Sequence, residues 1–222
     1  MHKQVATEII DYLHSACPDL SIALTGSVAN GSYNENSDID ILVSHKDFTN
    51  SYYVYGYYKD IKIGIFSYHK KIFWQKSLDL LYYYQNLRIG YIYYSQIIYD
   101  SDKLIIDLKD RIDDLLLRKK LLKKTLISDL KSEIKELLSN RKSDCIEHKE
   151  SLYAILNNII SIFFLKEYSS KILTKKEAID PYSIIKEKDI ELYNILRACY
   201  PCHQNSFKLI QKAIDSYIFI NY

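Results

Sequence analysis

Residues 24–43 read LTGSVANGSYNENSDIDILV, and this stretch decides the fold. The run that ends at Thr25 alternates like a short strand, and Gly26 and Ser27 follow it at a point where a helix can begin. After a polar loop, residues 39–43 form a mostly apolar run that predicts a second strand. The stretch therefore predicts two short strands that are joined through a Gly-Ser turn and a polar loop.

The polar residues of this stretch suit a polyphosphate and a hard cation. Backbone N–H groups at the start of a helix, together with the Ser27 hydroxyl, favour phosphate oxygens, and Gly26 permits their approach because it has no Cβ. Asp38 and Asp40 are two positions apart, so their carboxylates share one face of a strand. Two adjacent carboxylates repel each other unless a cation neutralises them. Mg²⁺ that is held partly by substrate phosphates fits such oxygen ligands.

The order of these residues resembles the DNA polymerase β-like nucleotidyltransferase superfamily. Its signature is an apolar residue, Gly-Ser, a gap of roughly ten residues and an Asp-x-Asp between apolar residues. Here ten residues separate Ser27 from Asp38. A second Gly-Ser at positions 31–32, and Ser37 just before the first aspartate, also fit the small bacterial members of the superfamily.

The resemblance implies a fold, a reaction and a set of site residues. The fold would be a short mixed sheet with helices, and the reaction would transfer a nucleotidyl group from MgATP or another NTP with release of pyrophosphate. Gly26, Ser27 and Ser37 would bind the nucleotide, whereas Asp38 and Asp40 would bind Mg²⁺ and act in catalysis. The alternative is a coincidental Gly-Ser turn before a loop that is rich in Asn and Asp.

The third carboxylate is the point at which the chain departs from the family pattern. The family has an acidic residue on a neighbouring strand, which coordinates the catalytic metal and helps to deprotonate the attacking hydroxyl. Our alignment puts Gly64 there, and Asp60 lies about 13 Å away along an extended strand. Three interpretations stay open: Asp60 is the third catalytic residue after a register shift, a Glu or Asp of the helical half supplies the carboxylate, or the site binds nucleotide with little or no catalysis.

The first hundred residues mix helix and strand signals. Aromatic and β-branched runs at 52–58 and 61–68 predict a hairpin that turns at Lys59-Asp60. A helix is expected at about 70–84 and a last strand at 91–99. This arrangement predicts a nucleotidyltransferase domain at residues 1–100.

The second half has the period of helices. Residues 105–138 carry an apolar stripe at helical spacing, and no glycine occurs between residue 103 and the C-terminus. Further helices are expected at about 147–169, 182–199 and 205–220. We therefore expect a helical bundle at residues 101–222 that binds the acceptor or a partner, as in aminoglycoside adenylyltransferases. The whole chain is predicted to be an α+β protein.

Composition excludes several classes of protein. The 30 Lys and Arg residues nearly balance the 28 Asp and Glu residues, which is too even for a protein that coats nucleic acid. A hydrophobic share of 48% with 26% charged residues excludes wholesale disorder. The chain shows neither a signal-peptide pattern nor a membrane-length apolar run, so we expect a cytoplasmic protein whose four cysteines are thiols.

Two sequence motifs resemble functional sites but have simpler interpretations. Cys199 and Cys202 with His203 match the spacing of haem attachment or a redox pair, and we interpret them as an incidental thiol pair. Arg141 and His148 match the Arg-x(4–6)-His element of HEPN ribonucleases, and we interpret them as exposed residues near a helix end.

Two residue clusters are also ambiguous. We interpret the basic cluster as the solvated face of an amphipathic helix, with a tRNA or phosphate contact as the alternative; its members are Arg118, Lys119, Lys120, Lys123 and Lys124. The tyrosines of residues 52–58 would pair across a hairpin, with stacking on a base or an acceptor ring as the alternative.

These observations favour a Mg²⁺-dependent nucleotidyltransferase that moves AMP from ATP to a hydroxyl group. The acceptor can be a small molecule, a protein or a tRNA end, and a protein or tRNA partner is compatible with the helical half. The main alternative is a catalytically impaired module that binds nucleotide or a partner, because position 64 is glycine. A toxin–antitoxin component is the third hypothesis.

Overall fold

The computed structural model of the chain describes residues 1–69, 71, 73, 81, 84, 87–139, 146–199, 209–211 and 214. Their contacts divide the chain into two compact units, which we describe separately. The first unit comprises residues 1–69, 71, 73 and 87–116, and the second comprises Leu81, Tyr84 and the described residues from 117 onward. The helices predicted at 70–84 and 205–220 lie mostly outside the described residues.

The first unit is built on a five-stranded mixed sheet. Its strand order is β3-β4-β2-β1-β5, in which β2 and β4 are parallel and the other neighbours are antiparallel. The elements in chain order are α1 (His2–Ala16), β1 (Ser21–Thr25), α2 (Gly26–Asn30), β2 (Ile39–Ser44), β3 (Tyr53–Tyr58), β4 (Ile61–Ser67), α3 (Leu87–Tyr93), β5 (Gln96–Tyr99) and α4 (Leu104–Leu121), which continues into the second unit. The mixed sheet and the α+β class predicted from the sequence are confirmed.

One face of the sheet packs against α1. Val5, Ala6 and Ile10 of this helix are buried in one core with alternate residues of the strands. The strand members of this core are Ile22, Leu24, Ile39, Ile41, Val43, Ile61 and Ile63. Because side chains alternate along a strand, Asp40, which lies between Ile39 and Ile41, points to the opposite face.

The hairpin of β3 and β4 turns at Lys59 and Asp60, as predicted. Both residues have positive φ, 51° and 62°, which is the conformation of a tight two-residue hairpin turn. Lys59 Nζ donates to Glu8 Oε2 of α1 at 2.6 Å, and this hydrogen bond lowers the pKa of the Glu8 carboxyl. The contact ties the tip of the hairpin to the first helix.

The strand predicted at 91–99 is only half correct, because the strand begins at Gln96 and residues 87–93 form helix α3. Ile89 and Ile92 are three positions apart and both are buried, which suits one face of a helix. The Tyr94 N–H donates to the carbonyl oxygen of Gly90, so helical hydrogen bonding extends past the end of α3. Burial at helical spacing therefore overrides the strand preference of the aromatic and β-branched residues in this segment.

The second unit is helical over its described residues. Its elements are the last turn of α4, α5 (Lys123–Ser139), α6 (Ile146–Tyr168), α7 (Lys175–Ile179), α8 (Pro181–Lys188) and α9 (Ile190–Ala198). Helices α5 and α6 supply most of one hydrophobic core, to which Leu192 and Leu196 of α9 also contribute. Within the described ranges, no helix combines the length and apolarity that a membrane crossing needs.

The helix predicted at 182–199 is two helices that meet at Asp189. The Asp189 carboxylate accepts from the Leu192 N–H at 2.9 Å and caps α9. Asp180 caps α8 in the same way through the Ser183 N–H at 3.2 Å, and Pro181 occupies the first helical turn. Side chains that satisfy backbone N–H groups at a helix start each contribute about 1 kcal/mol, so both starts are fixed by local chemistry.

The interpretation of the basic cluster as a solvated face is wrong for Lys119 and only partly correct for Lys123. Arg118, Lys120 and Lys124 are exposed, but Lys119 is only 7% exposed, and Lys123 Nζ donates to the carbonyl of Lys166 at 2.7 Å. Burial lowers the pKa of the Lys119 ammonium to about 8. Among the described residues, no carboxylate pairs with the Lys119 ammonium, and a buried cation without such a partner opposes folding.

Lys119→Met should therefore stabilise the protein, because it removes the charge and keeps the length of the side chain. The shift in pKa from 10.5 to about 8 sets an upper limit of about 3 kcal/mol for the gain near neutral pH. Between those two pH values the unfolded chain binds more protons than the folded chain, so wild-type stability should rise with pH there. Urea unfolding across this window should show that slope in wild type and in the exposed-site control Lys120→Met. The slope should be smaller in Lys119→Met, and what remains would come from other groups such as Lys109 and Lys166, whose pKa values are also lowered by burial. A less stable Lys119→Met would contradict the account.

Candidate active site at the Gly-Ser turn

The Gly-Ser turn lies where β1 passes into the short helix α2. Gly26 has a φ of +70°, which L-amino acids other than glycine adopt at a cost. The hydroxyl of Thr25 donates to the carbonyl of Tyr91 at 2.6 Å, and the side-chain amide of Gln96 donates to the carbonyl of Ala29 at 2.5 Å. These two bonds fix both ends of the turn to neighbouring elements of the first unit.

The polar loop that follows is a compact turn that leads to Asp38. The Asn34 side-chain oxygen accepts from the Asn36 N–H at 2.9 Å, and the Ser37 hydroxyl accepts from the Asn34 N–H at 2.9 Å. His2 Nε2 donates to the Ser37 carbonyl at 2.9 Å and ties the loop to α1. Ser37 thus shapes the approach to Asp38. No sequence pattern pointed to His2, because its partner is a backbone group 35 residues away.

The Asp40 carboxylate lies between two glycines. A Cβ built on Gly26 would lie 2.6 Å from Asp40 Oδ2, and a Cβ built on Gly64 would lie 3.0 Å from Asp40 Oδ1. Asp40 itself is only 3% exposed. Burial of a carboxylate is costly. A buried aspartate whose neighbours on both sides are glycines therefore indicates a functional position.

Sheet register sets the neighbours of Asp40. Thr25 pairs with Asp40 on one side, and Gly64 pairs with Asp40 on the other. Gly64 in turn pairs with Tyr55 on β3. A residue at position 64 would therefore project beside Asp40, and this chain has no carboxylate there.

The structure places Gly26 of the predicted site beside Asp40, while Ser27, Ser37 and Asp38 are close to these two residues in sequence. It does not bring Asp60 to them, because Asp60 is an exposed turn residue four positions before Gly64. In the described part of the chain, no group of three or more His, Cys, Asp or Glu side chains could hold a metal ion.

A row of aromatic rings borders Asp40 on its face of the sheet. The ring of Tyr53 stacks on Phe66 with centroids 4.6 Å apart, and Phe66 stacks on Tyr91 at 4.9 Å. Tyr53 Cε2 lies 3.3 Å from the Cβ position of Gly64. The sequence identified only the tyrosine run as a whole. The position of its ring distinguishes Tyr53, because the register of the hairpin pairs Gly64 with Tyr55.

The motifs predicted near the C-terminus are only partly described. Cys199 is a buried thiol, whereas Cys202 and His203 lie outside the described residues. Arg141 and the side chain of His148 also lie outside them, so the HEPN-like pair stays a prediction.

Comparison with known proteins agrees with the geometry. Residues 6–143, more than half of the chain, match the family model of the nucleotidyltransferase domain. No curated protein matches the chain. Among solved structures, the chain is similar to a nucleotidyltransferase-like protein from Exiguobacterium sibiricum 255-15 with a TM-score of 0.51 and 12% identity, over 96% of this chain and 76% of that one. This likeness concerns the fold alone. On the match of residues 6–143, the chain belongs to the nucleotidyltransferase domain family.

Proposed function

We propose that this chain is a Mg²⁺-dependent nucleotidyltransferase that moves AMP from ATP to a hydroxyl of its acceptor and releases pyrophosphate. The observation that carries the proposal is the contact of the Asp40 carboxylate with Gly26. This proximity supports one site formed by the Gly-Ser turn and the paired aspartates, in which phosphates and a cation would meet.

Each residue of the site has a role that follows from its chemistry. Gly26 allows the Asp40 carboxylate to approach the Gly-Ser turn closely, because a Cβ there would lie 2.6 Å from Asp40 Oδ2. The Ser27 hydroxyl would donate to a phosphate oxygen, and Ser37 would hold the loop that carries Asp38. Side chains in these roles orient the donor nucleotide for attack at one phosphorus atom.

The donor set fits Mg²⁺ that is shared with the nucleotide. Asp38 and Asp40 supply hard oxygen ligands on one strand, and Mg²⁺ characteristically combines one or two carboxylates with substrate phosphates. Bound Mg²⁺ would neutralise charge on the phosphates during transfer. Since the described residues lack a cluster of three ligands, we expect the nucleotide and Mg²⁺ to bind together.

The second candidate function is a nucleotide-binding module with little or no transfer activity. Gly64 favours it, because this residue stands directly beside Asp40 in the sheet where a base would assist the acceptor hydroxyl. A carboxylate from elsewhere in the chain would restore transfer. The acceptor itself is open among a small molecule, a protein tyrosine and a tRNA end.

Titration of ATP into the full-length protein should show binding that depends on Mg²⁺. Calorimetry with and without the cation measures this directly, and GTP, CTP and UTP report on the base. Absence of binding for all four nucleotides would contradict the proposal. If ATP binds, release of pyrophosphate in the presence of candidate acceptors decides between transfer and binding alone.

A further inference from the structure

We propose that the phenolic hydroxyl of Tyr53 is itself a nucleotidyl acceptor, so that the chain modifies its own β3 strand. The inference rests on the proposed function, because the nucleotide must bind at Asp38 and Asp40. It adds a modification site and names a tyrosine hydroxyl as the acceptor class. The argument depends on where the Tyr53 ring lies.

The ring of Tyr53 covers the gap that Gly64 leaves. Its Cε2 atom lies 3.3 Å from the Cβ position of Gly64, and Asp40 Oδ1 lies 3.0 Å from that same point. Cε2 is bonded to the ring carbon that carries the hydroxyl. One edge of the Tyr53 ring and the Asp40 carboxylate are therefore both next to the point where a residue at position 64 would project.

The ring is oriented by its neighbours and is still accessible. Stacking on Phe66 at 4.6 Å, and of Phe66 on Tyr91 at 4.9 Å, limits its rotation. Tyr53 remains 52% exposed, so a bound nucleotide can reach its hydroxyl. A nucleophile that is held beside the reacting group gains the advantage of an intramolecular reaction.

Tyr55 offers a matched comparison on the same strand and the same face. It pairs directly with Gly64 in the register, but its ring lies under Lys62 Nζ at 5.1 Å and is 66% exposed. The atoms nearest to the Cβ position of Gly64 belong to Asp40, Tyr53 and Phe66. We therefore expect modification at Tyr53 and not at Tyr55.

The reaction balances with the nucleoside triphosphate as the only co-reactant. The Tyr53 oxygen attacks the α-phosphorus and forms a new P–O bond, while the bond from the α-phosphorus to the bridging oxygen of the β-phosphate breaks. Pyrophosphate leaves with that electron pair, and the phenolic proton passes to solvent. The product is a tyrosyl phosphodiester that carries one nucleoside monophosphate.

Self-modification also accounts for a site with glycine at position 64. A base at that position would speed the loss of the acceptor proton over many turnovers, but each chain modifies itself once. The absent carboxylate leaves room for the Tyr53 ring, since a Cβ at position 64 would lie 3.3 Å from Tyr53 Cε2, closer than an ordinary van der Waals contact. The glycine at position 64 thus gives the Tyr53 ring its place beside the site.

The test is incubation of the full chain with Mg²⁺ and each of the four nucleoside triphosphates, labelled at the α-phosphate. Intact mass should rise by one nucleoside monophosphate, and peptide mapping should place it on Tyr53. Tyr53→Phe should lower incorporation at least about tenfold, because the nucleophile is gone, whereas Tyr55→Phe should keep it. Calorimetry should show unchanged nucleotide affinity in Tyr55→Phe, and it should show that Tyr53→Phe still binds nucleotide with Mg²⁺.

The outcomes separate this inference from the function on which it rests. Nucleotide binding without label on the wild-type chain, or label that persists in Tyr53→Phe, overturns the acceptor role and leaves the proposed function intact. If the wild-type chain carries no label and Tyr53→Phe releases pyrophosphate faster, the acceptor role of Tyr53 is also overturned. Its side chain would then restrict access to the site. Absence of nucleotide binding overturns both.

Discussion

Asp40→Asn should abolish the Mg²⁺-dependent part of nucleotide binding. Asparagine has the shape of aspartate, so the contacts with Gly26 and Gly64 remain, but the negative charge is lost. Removing one partner of a buried charge interaction costs about 2–5 kcal/mol, which is at least about a thirtyfold loss of affinity. Asp38→Asn should act in the same direction, and the double variant should bind ATP equally with and without Mg²⁺. Calorimetric titration with urea unfolding as a check on folding measures both effects.

Asp60→Asn distinguishes the observed register from the shifted one. Asp60 is an exposed turn residue with a φ of 62°, a conformation that asparagine also tolerates. Because the strand pairs Asp40 with Gly64, we expect Asp60→Asn to bind and turn over ATP as wild type does. A loss of turnover similar to that of Asp40→Asn would mean that Asp60 reaches the site after a shift of β4.

The sequence predicted the elements around the site well, because local chemistry determines them. The Gly-Ser turn and the Asp-x-Asp strand follow from residues 24–43 alone. Counting outward from the two-residue turn at Lys59 and Asp60 pairs Tyr55 with Gly64. The neighbours of Gly64 on β3 could therefore also be deduced from the sequence. Only the ring position of Tyr53 needed the structure.

The errors have a common origin in long-range packing. Residues 87–93 have the composition of a strand, but burial of Ile89 and Ile92 makes them a helix. The charge of Lys119 predicts a solvated position. However, Lys119 is four positions after the buried Leu115 and lies on the same apolar face of the helix. Composition and charge indicate the local preference of a residue. Neither shows which residues are buried by other parts of the chain.

Gly26→Ala should remove nucleotide binding through a collision with Asp40. The added Cβ would lie 2.6 Å from Asp40 Oδ2 and 3.3 Å from its Cβ. The carboxylate would have to rotate, and Gly64 with the Tyr53 ring limits that rotation on the other side. The positive φ adds about 1–2 kcal/mol of backbone strain, so the free energy of unfolding should fall by at least this amount.

Gly31→Ala is the matched control that separates the collision from the strain. Gly31 has a φ of +79°, close to that of Gly26, but no atom of the described chain lies within 4 Å of its Cβ position. It should therefore lose a similar amount of stability to backbone strain and still bind ATP with Mg²⁺. Equal loss of binding in both variants would assign the effect to the backbone of α2. Binding lost only in Gly26→Ala would assign it to the contact with Asp40, since the two substitutions otherwise impose the same change.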